Sequence, residues 1–194
     1  MPFDPDTSPT DDQLLVHYAA GDPTAAAELT ARFLPRVYGH ARRMLGDSAE
    51  AEDVAQDAML KLWQMAPTWR SGHAKVSTWL YRVTANLCTD RLRRRRGVPL
   101  DQVAEPEDEG QRAEGRLQEH ARRDALQVAL DSLPPRQRQA VLLRHLEGLG
   151  NPEIAQIMEI TPRAVESLTA RGKRALADAL AIRKDALGYT DDTT

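Results

Sequence analysis

The chain has 194 residues, of which 41% are hydrophobic and 28% charged, and it carries a formal net charge of −3; that is enough for two small domains or one medium one. A single cysteine, Cys88, excludes an internal disulfide and a Cys-rich zinc site. No apolar run approaches the roughly 20 residues of a membrane helix, and "MPFDPDTSPTDD" has neither the basic nor the apolar part of a secretory signal, so the sequence predicts a cytoplasmic protein with no membrane insertion.

Helical patterning runs almost throughout. "DDQLLVHYAAG" predicts a helix capped by Asp11 or Asp12 that stops at Gly21. Asp22 then caps "PTAAAELTARFLPRVYGHARRML", whose Leu29, Phe33, Val37 and Tyr38 recur at helical spacing; Pro35 inside it predicts a kink or a break. "DSAEAEDVAQDAMLKLWQM" opens at Asp47 or Ser48, with acids in its first turn where the helix dipole favours them, and has an apolar face of Val54, Ala58 and Leu62 beside Met59 and Trp63. "APTWRSGHAK" is a loop by composition. "STWLYRVTANLCTDRLRRRR" is predicted to take Ser77 as its cap and to bury Leu80, Val83, Leu87 and Leu92. The five histidines, His17, His40, His73, His120 and His145, show no short ligand spacing and read as surface or boundary residues.

"GVPLDQVAEPEDEG" then interrupts the pattern with glycine, proline and acids, as a linker does. Helix resumes at about Arg112 in four segments, punctuated by Pro134-Pro135, Gly148 to Pro152 and Thr161-Pro162. Charge follows the same division. Residues 71–97 hold 7 Lys/Arg and 1 Asp/Glu, and residues 136–184 hold 9 and 5, whereas the intervening 98–135 hold 4 and 9. Two basic blocks flanking an acidic one are candidates for polyanion contact.

The second basic block carries a helix-turn-helix pattern. "NPEIAQIMEITPRAVESLTARGKRAL" reads as a short helix capped by Asn151, a turn around Glu159-Ile160-Thr161, and a longer helix with Pro162 at its first position. Ile154, Ala155, Met158, Ile160, Val165 and Leu168 supply its small core. Arg163, Glu166, Ser167, Thr169, Arg171, Lys173 and Arg174 project from the second helix, which suits a major groove.

With these motifs in hand, "SLPPRQRQAVLLRHLEGLGNPEIAQIMEITPRAVESLTARGKRAL" resembles region 4 of a bacterial extracytoplasmic-function sigma factor. "AEDVAQDAMLKLWQ" is similar to the family's region 2.2, and "VSTWLYRVTANLCTDRLRRRR" to regions 2.3 and 2.4, in the family's order and spacing. The resemblance implies an all-α chain of two helical domains: region 2 over residues 1–97, an acidic linker over 98–115, region 4 over 116–184 and a tail over 185–194. It further implies a factor that binds core RNA polymerase, recognises promoter DNA and helps open it, with no covalent chemistry, no cofactor, and an anti-sigma factor as a regulatory partner.

The same resemblance assigns residues. Asp53, Gln56, Asp57 and Lys61 would meet core polymerase. The loop Ala66 to Val76, with Trp69, Lys75 and Trp79 nearby, would hold a flipped base of the minus-10 element, since an unstacked base needs stacking surfaces and edge donors; Trp79 reads equally as a core residue. Arg82, Arg91, Arg93, Arg94, Arg95 and Arg96 would follow the minus-10 backbone, Asn86 on the same helix would either contact that DNA or cap a buried turn, and the projecting residues of the last helix would read the minus-35 element. Two positions depart from the family pattern. Glu159 stands where glycine is common in the turn, and Glu166 stands where Lys or Arg is common in the recognition helix.

Rival readings are weaker. A polymerase-independent helix-turn-helix regulator would carry a sensor or receiver domain with alternating strands, and residues 1–97 show no strand pattern. Gly172-Lys173 is not a P-loop, because Arg174 follows and Ser167 stands where the first glycine belongs.

Overall fold

The computed structural model describes residues 8–72, 74–96 and 114–181, so residues 98–113 of the linker assigned to 98–115 and the tail assigned to 185–194 lie outside the described residues. Among the described residues the regular structure is entirely helical. The helices are α1 (Asp11–Ala19), α2 (Pro23–Leu45), α3 (Ser48–Met65), α4 (Val76–Arg96), α5 (Glu114–Asp131), α6 (Pro135–His145), α7 (Asn151–Met158) and α8 (Pro162–Ala181), with one 3-10 turn at Ala66–Thr68.

Local chemistry fixes the ends. α1 is capped by Thr10 rather than Asp11 or Asp12: the Thr10 hydroxyl accepts from Gln13 N while the Gln13 side chain accepts from Thr10 N, a reciprocal capping box. Asp22 caps α2 through Thr24 N at 2.8 Å, and the bonds from Thr24 hold its carboxyl below the usual carboxylate range. α2 is unbroken through Pro35, although a proline has no N–H for the helix ladder. It ends at Gly46, whose φ of 74° is left-handed, and Asp47 at once caps α3 through Glu50 N at 2.8 Å.

The four N-terminal helices enclose one core of Leu14, Leu15, Leu29, Phe33, Val37, Ala58, Leu62 and Leu80, with Trp63, Trp69 and Trp79 packed on its edge. α4 begins at Val76, so Ser77 lies inside the helix and is not its cap. Val83, Leu87 and Leu92 are only partly covered, while Val76, Leu80, Tyr81, Thr84, Ala85 and Cys88 are buried. This wider stripe reflects two neighbours instead of one, because α4 packs on α2 and α3 on one side and on α7 on the other.

The second unit docks on the first. Ala41, Met44, Leu45, Ala51, Val54 and Cys88 of the first unit share a core with Leu130, Leu133 and Leu142 of the second. Burial pushes the Cys88 thiol up to about 12. Tyr81 of α4 is enclosed by the third core, otherwise built from α6, α7 and α8 residues such as Leu143, Ile154, Met158 and Val165. α6 and α8 cross at the buried Gly172, where an added Cβ would lie 2.6 Å from Val141 Cγ2. That crossing explains a glycine inside a long helix, where it is otherwise unfavourable.

Candidate nucleic-acid interface

On α3, Asp53, Gln56, Asp57 and Lys61 are all exposed along one strip, and Leu60 stands among them with 54% of its surface open. Arg91 of α4 reaches back to this strip, its guanidinium 3.3 Å from Asp53 and 3.7 Å from Asp57. The arginine run at the end of α4 is therefore not one ribbon of charge. Successive residues turn by about 100° around a helix. Arg95 folds onto Glu50 and the Leu45 carbonyl, Arg93 pairs with Asp90, and Arg94 is exposed. Arg96 is the last residue of the helix.

The loop before α4 and the first turns of that helix form a second patch. Trp69 and Trp79 meet edge to face with ring centroids 6.4 Å apart. Both are half-buried on the first core, and the Trp69 indole donates to Asp12 at 3.1 Å. Beside them an open cleft of about 750 Å³ is lined by Asp12, Gly72, Lys75, Thr78, Glu153 and Gln156. Lys75 Nζ lies 2.7 Å from Glu153 Oε1, and the two bonds that Glu153 accepts, from Lys75 and from Gly150 N, hold its carboxyl below the usual carboxylate range. Arg82, one face further along α4, pairs with Glu159. Asn86 is exposed.

The helix-turn-helix is formed by α7, the turn Glu159 to Thr161, and α8. Gly150, not Asn151, precedes α7; the Asn151 amide instead donates to Glu166 across the motif at 3.3 Å. Thr161 caps α8 through Ala164 N. Glu159 has φ 54° and ψ 49°, the only left-handed non-glycine among the described residues. Arg163, Glu166, Ser167, Arg171, Lys173 and Arg174 are exposed on the outer face of α8. Thr169 is different: it lies one turn before Gly172, on the flank of the buried stripe, and its hydroxyl is enclosed without a hydrogen-bond partner. It does not stand with the other projecting residues.

Sequence reasoning passed over the group that joins the two units. His40 is fully buried, contrary to a surface or boundary place; it belongs to the α2 stripe Phe33, Val37, Ala41 and Met44. Burial, with Arg43 nearby, pushes its pKa down to about 4, so the neutral imidazole 3.9 Å from Glu147 is a polar contact and not an ion pair. Glu147 accepts from the Tyr81 hydroxyl, whose own pKa burial and that carboxylate raise. Arg138, almost wholly buried, donates to the Met44 carbonyl at 2.6 Å and to Asp131 at 2.8 Å. A single-sequence pattern could flag His40 only as a polar residue at an apolar position of α2.

The comparisons with known proteins fit this geometry. Residues 29–98 match the family described as Sigma-70 region 2, and residues 123–176 match Sigma-70, region 4. Over 171 residues the chain is 34% identical to "ECF RNA polymerase sigma factor SigE" of Mycolicibacterium smegmatis, covering 84% of this chain and 65% of that one. It is 33% identical to "ECF RNA polymerase sigma factor SigM" of Mycobacterium tuberculosis, covering 87% and 83%. Among solved structures, CnrH in complex with the cytosolic domain of CnrY has a similar fold, at a TM-score of 0.68 and 24% identity over 89% of this chain and 97% of that one. So does the sigma factor RpoE in complex with the anti-sigma factor NepR from Bartonella quintana, at 0.63 and 21% over 80% and 96%. Two family matches in chain order and relatives above 30% identity place the chain in one group: it belongs to the extracytoplasmic-function family of RNA polymerase sigma factors.

Proposed function

We propose that this protein is a promoter-recognition subunit that joins core RNA polymerase in the cytoplasm, directs it to a set of promoters and helps separate the strands. It is not an enzyme. Residues 1–97 form the polymerase-binding and minus-10 unit, and residues 116–184 form the minus-35 unit. The observation that carries the reading is the pairing of two sigma regions with two chemically distinct surfaces. One is an exposed acidic strip on α3; the other is a basic outer face on α8, where Arg163, Arg171, Lys173 and Arg174 are open to solvent.

The roles follow from charge and shape. Asp53, Gln56, Asp57 and Lys61 suit a protein partner, because a carboxylate-rich strip repels the DNA held by the neighbouring basic surfaces. Trp69 and Trp79 offer apolar ring surface beside a cleft in which Lys75 is a donor, the combination that holds an unstacked base. Arg82, Arg91 and the arginines from 93 to 96 contribute backbone contacts, each releasing counterions, and the neutral Asn86 adds at most a hydrogen bond from the same helix. On α8 the cations anchor the helix to phosphates while Ser167 and Glu166 face base edges. Regulation by an anti-sigma factor belongs to the proposal, the RpoE relative having been captured with such a partner.

Run-off transcription with purified core polymerase on genomic promoter fragments tests the proposal. The wild-type chain is expected to give discrete start sites, and Asp53→Arg with Asp57→Arg is expected to give none while keeping its helical content. Discrete transcripts from the double variant would remove the α3 strip from the reading.

A further inference from the structure

The first turn of α7 is capped without the help of Asn151. Gly150 precedes the helix, its N–H donates to Glu153 Oε2 at 3.1 Å, and its carbonyl accepts from Ile154 N at 3.0 Å. An asparagine at a helix start ordinarily accepts, through its side chain, from the orphan N–H groups of that turn. Here the Asn151 amide crosses to α8 instead and donates to Glu166 Oε1 at 3.3 Å. Both ends of this bond are anchored. Pro152 restrains the backbone next to Asn151, and Ile154, Ala155 and Met158 of α7 share a core with Val165, the residue before Glu166.

Glu166 is the fifth residue of α8 and is exposed between Arg163 and Ser167. Arg163, three residues earlier, is at the spacing of an ion pair on the same helix, yet among the described residues Glu166 forms no ion pair. Its one fixed partner is therefore the neutral amide of Asn151. A carboxylate offers about four acceptor sites on two oxygens, so the Asn151 bond to Oε1 leaves Oε2 for a donor arriving from DNA.

We propose that Asn151 is a positioning residue for the minus-35 contact: from α7 it holds the Glu166 carboxylate toward the base edge that Glu166 reads, and so sets how sharply that one base pair is discriminated. The inference deepens the reading of Glu166 as a base contact and rests on it. A free glutamate side chain samples many rotamers, and fixing one on binding costs entropy. Fixing it beforehand lowers that cost and keeps the acceptor in the geometry that a cytosine amino group meets and a wrong base does not. Without the Asn151 donor, the carboxylate is free to turn to Arg163, which removes an acceptor from the base and a cation from the phosphates.

The test is a binding selection with the full chain assembled on core polymerase and a promoter library randomised through the minus-35 element, read by sequencing the bound fraction. Glu166→Ala identifies the position: the wild type is expected to favour cytosine there by at least about fivefold, and this variant to lose the preference. Asn151→Asp keeps the side-chain shape and puts an acid in the first turn of α7, where the helix dipole favours it, but replaces the donor by a second carboxylate. It is expected to reduce the cytosine preference at that position by at least about threefold, the worth of one hydrogen bond, with the other positions unchanged. Asn151→Ala is expected to act in the same direction. Combined with Glu166→Ala it is expected to lose no more than Glu166→Ala alone, as partners in one interaction do.

A full cytosine preference in both Asn151 variants would overturn the inference while leaving Glu166 as the reader. So would a loss spread evenly over all positions, which would make Asn151 a part of the fold only. If Glu166→Ala itself leaves every preference intact, the base-reading role of Glu166 fails and the inference fails with it.

Discussion

The two cationic surfaces of this protein stand in opposite states. On α8, Arg163, Arg171, Lys173 and Arg174 face solvent, and among the described residues no carboxylate lies within ion-pair distance of them. On α4 and the residue just before it, Lys75, Arg82 and Arg91 are each met by acids, the first two from the other unit and the third from α3. The cationic face of α8 is open, and the cations at the start and middle of α4 are covered by carboxylates.

The most severe way to break this asymmetry is Tyr81→Ala. The ring is 4% exposed and is enclosed by the core of α6, α7 and α8. Removing a buried aromatic costs about 3–5 kcal/mol. Denaturant unfolding followed by circular dichroism should lose that much stability, and a single transition should split into two as the units cease to unfold together. A one-step transition of unchanged midpoint would show that Tyr81 does not couple them.

Acidification attacks the same junction through His40. Its pKa falls from 6.5 to about 4 because burial, then Arg43, disfavours the charged ring. The groups facing it are Arg43 of α2, Tyr81 of α4 and Glu147 beyond α6. Below pH 6.5 the unfolded chain takes up a proton that the folded one refuses, so stability is full above that value and falls steadily toward pH 4. The full span corresponds to about 3 kcal/mol as an upper figure. His40→Leu should flatten that part of the stability profile measured between pH 7 and pH 4; an unchanged slope would place the effect on carboxylates.

The open surface is sharpened by Glu166→Lys. Glu166 is exposed and accepts from the Asn151 amide, an interaction that holds its carboxylate near the N-terminal end of α8, where base edges are met. A carboxylate reading a cytosine amino group discriminates by about 1–3 kcal/mol. Selection from a randomised minus-35 library should therefore return a changed preference at one position. Identical preferences with uniformly tighter binding would assign Glu166 to charge alone.

Much of this was legible in the sequence. Helical periodicity, Asp22 and Asp47 as caps, and the Pro162 start of α8 are local decisions, made by a few neighbouring residues, and the structure keeps them. The caps of α1 and α7 were displaced by one residue, because Thr10 and Gly150 compete with adjacent polar residues and only backbone geometry arbitrates. The α3 strip and the α8 face are periodic, so their exposed residues could be named. Thr169 could not be placed, since its burial depends on how closely Gly172 lets α8 approach α6. The junction of Tyr81, His40, Glu147 and Arg138 spans up to about a hundred residues of chain and has no periodicity of its own. Nothing local distinguishes Lys75 and Arg82 as paired from Lys173 and Arg174 as open.

The smallest expected effect belongs to Glu159, where the covered surface and the turn of the open one meet in one residue. Its left-handed backbone, φ 54°, costs about 1 kcal/mol for a side chain with a Cβ, and glycine removes that strain. Glycine also removes the ion pair with Arg82, whose partners are 49% and 62% exposed and whose contribution is therefore about 0–1 kcal/mol. The two effects oppose each other but differ in their response to salt: strain is indifferent to ionic strength, whereas an exposed pair is screened within about 3 Å at 1 M. Glu159→Gly should accordingly stabilise the chain by up to about 1 kcal/mol at high salt and by less at low salt, as read from paired denaturant titrations. Equal gains in both conditions would mean that the Arg82 pair holds nothing, and would leave Lys75 with Glu153 and the buried junction as the contacts that join the two units.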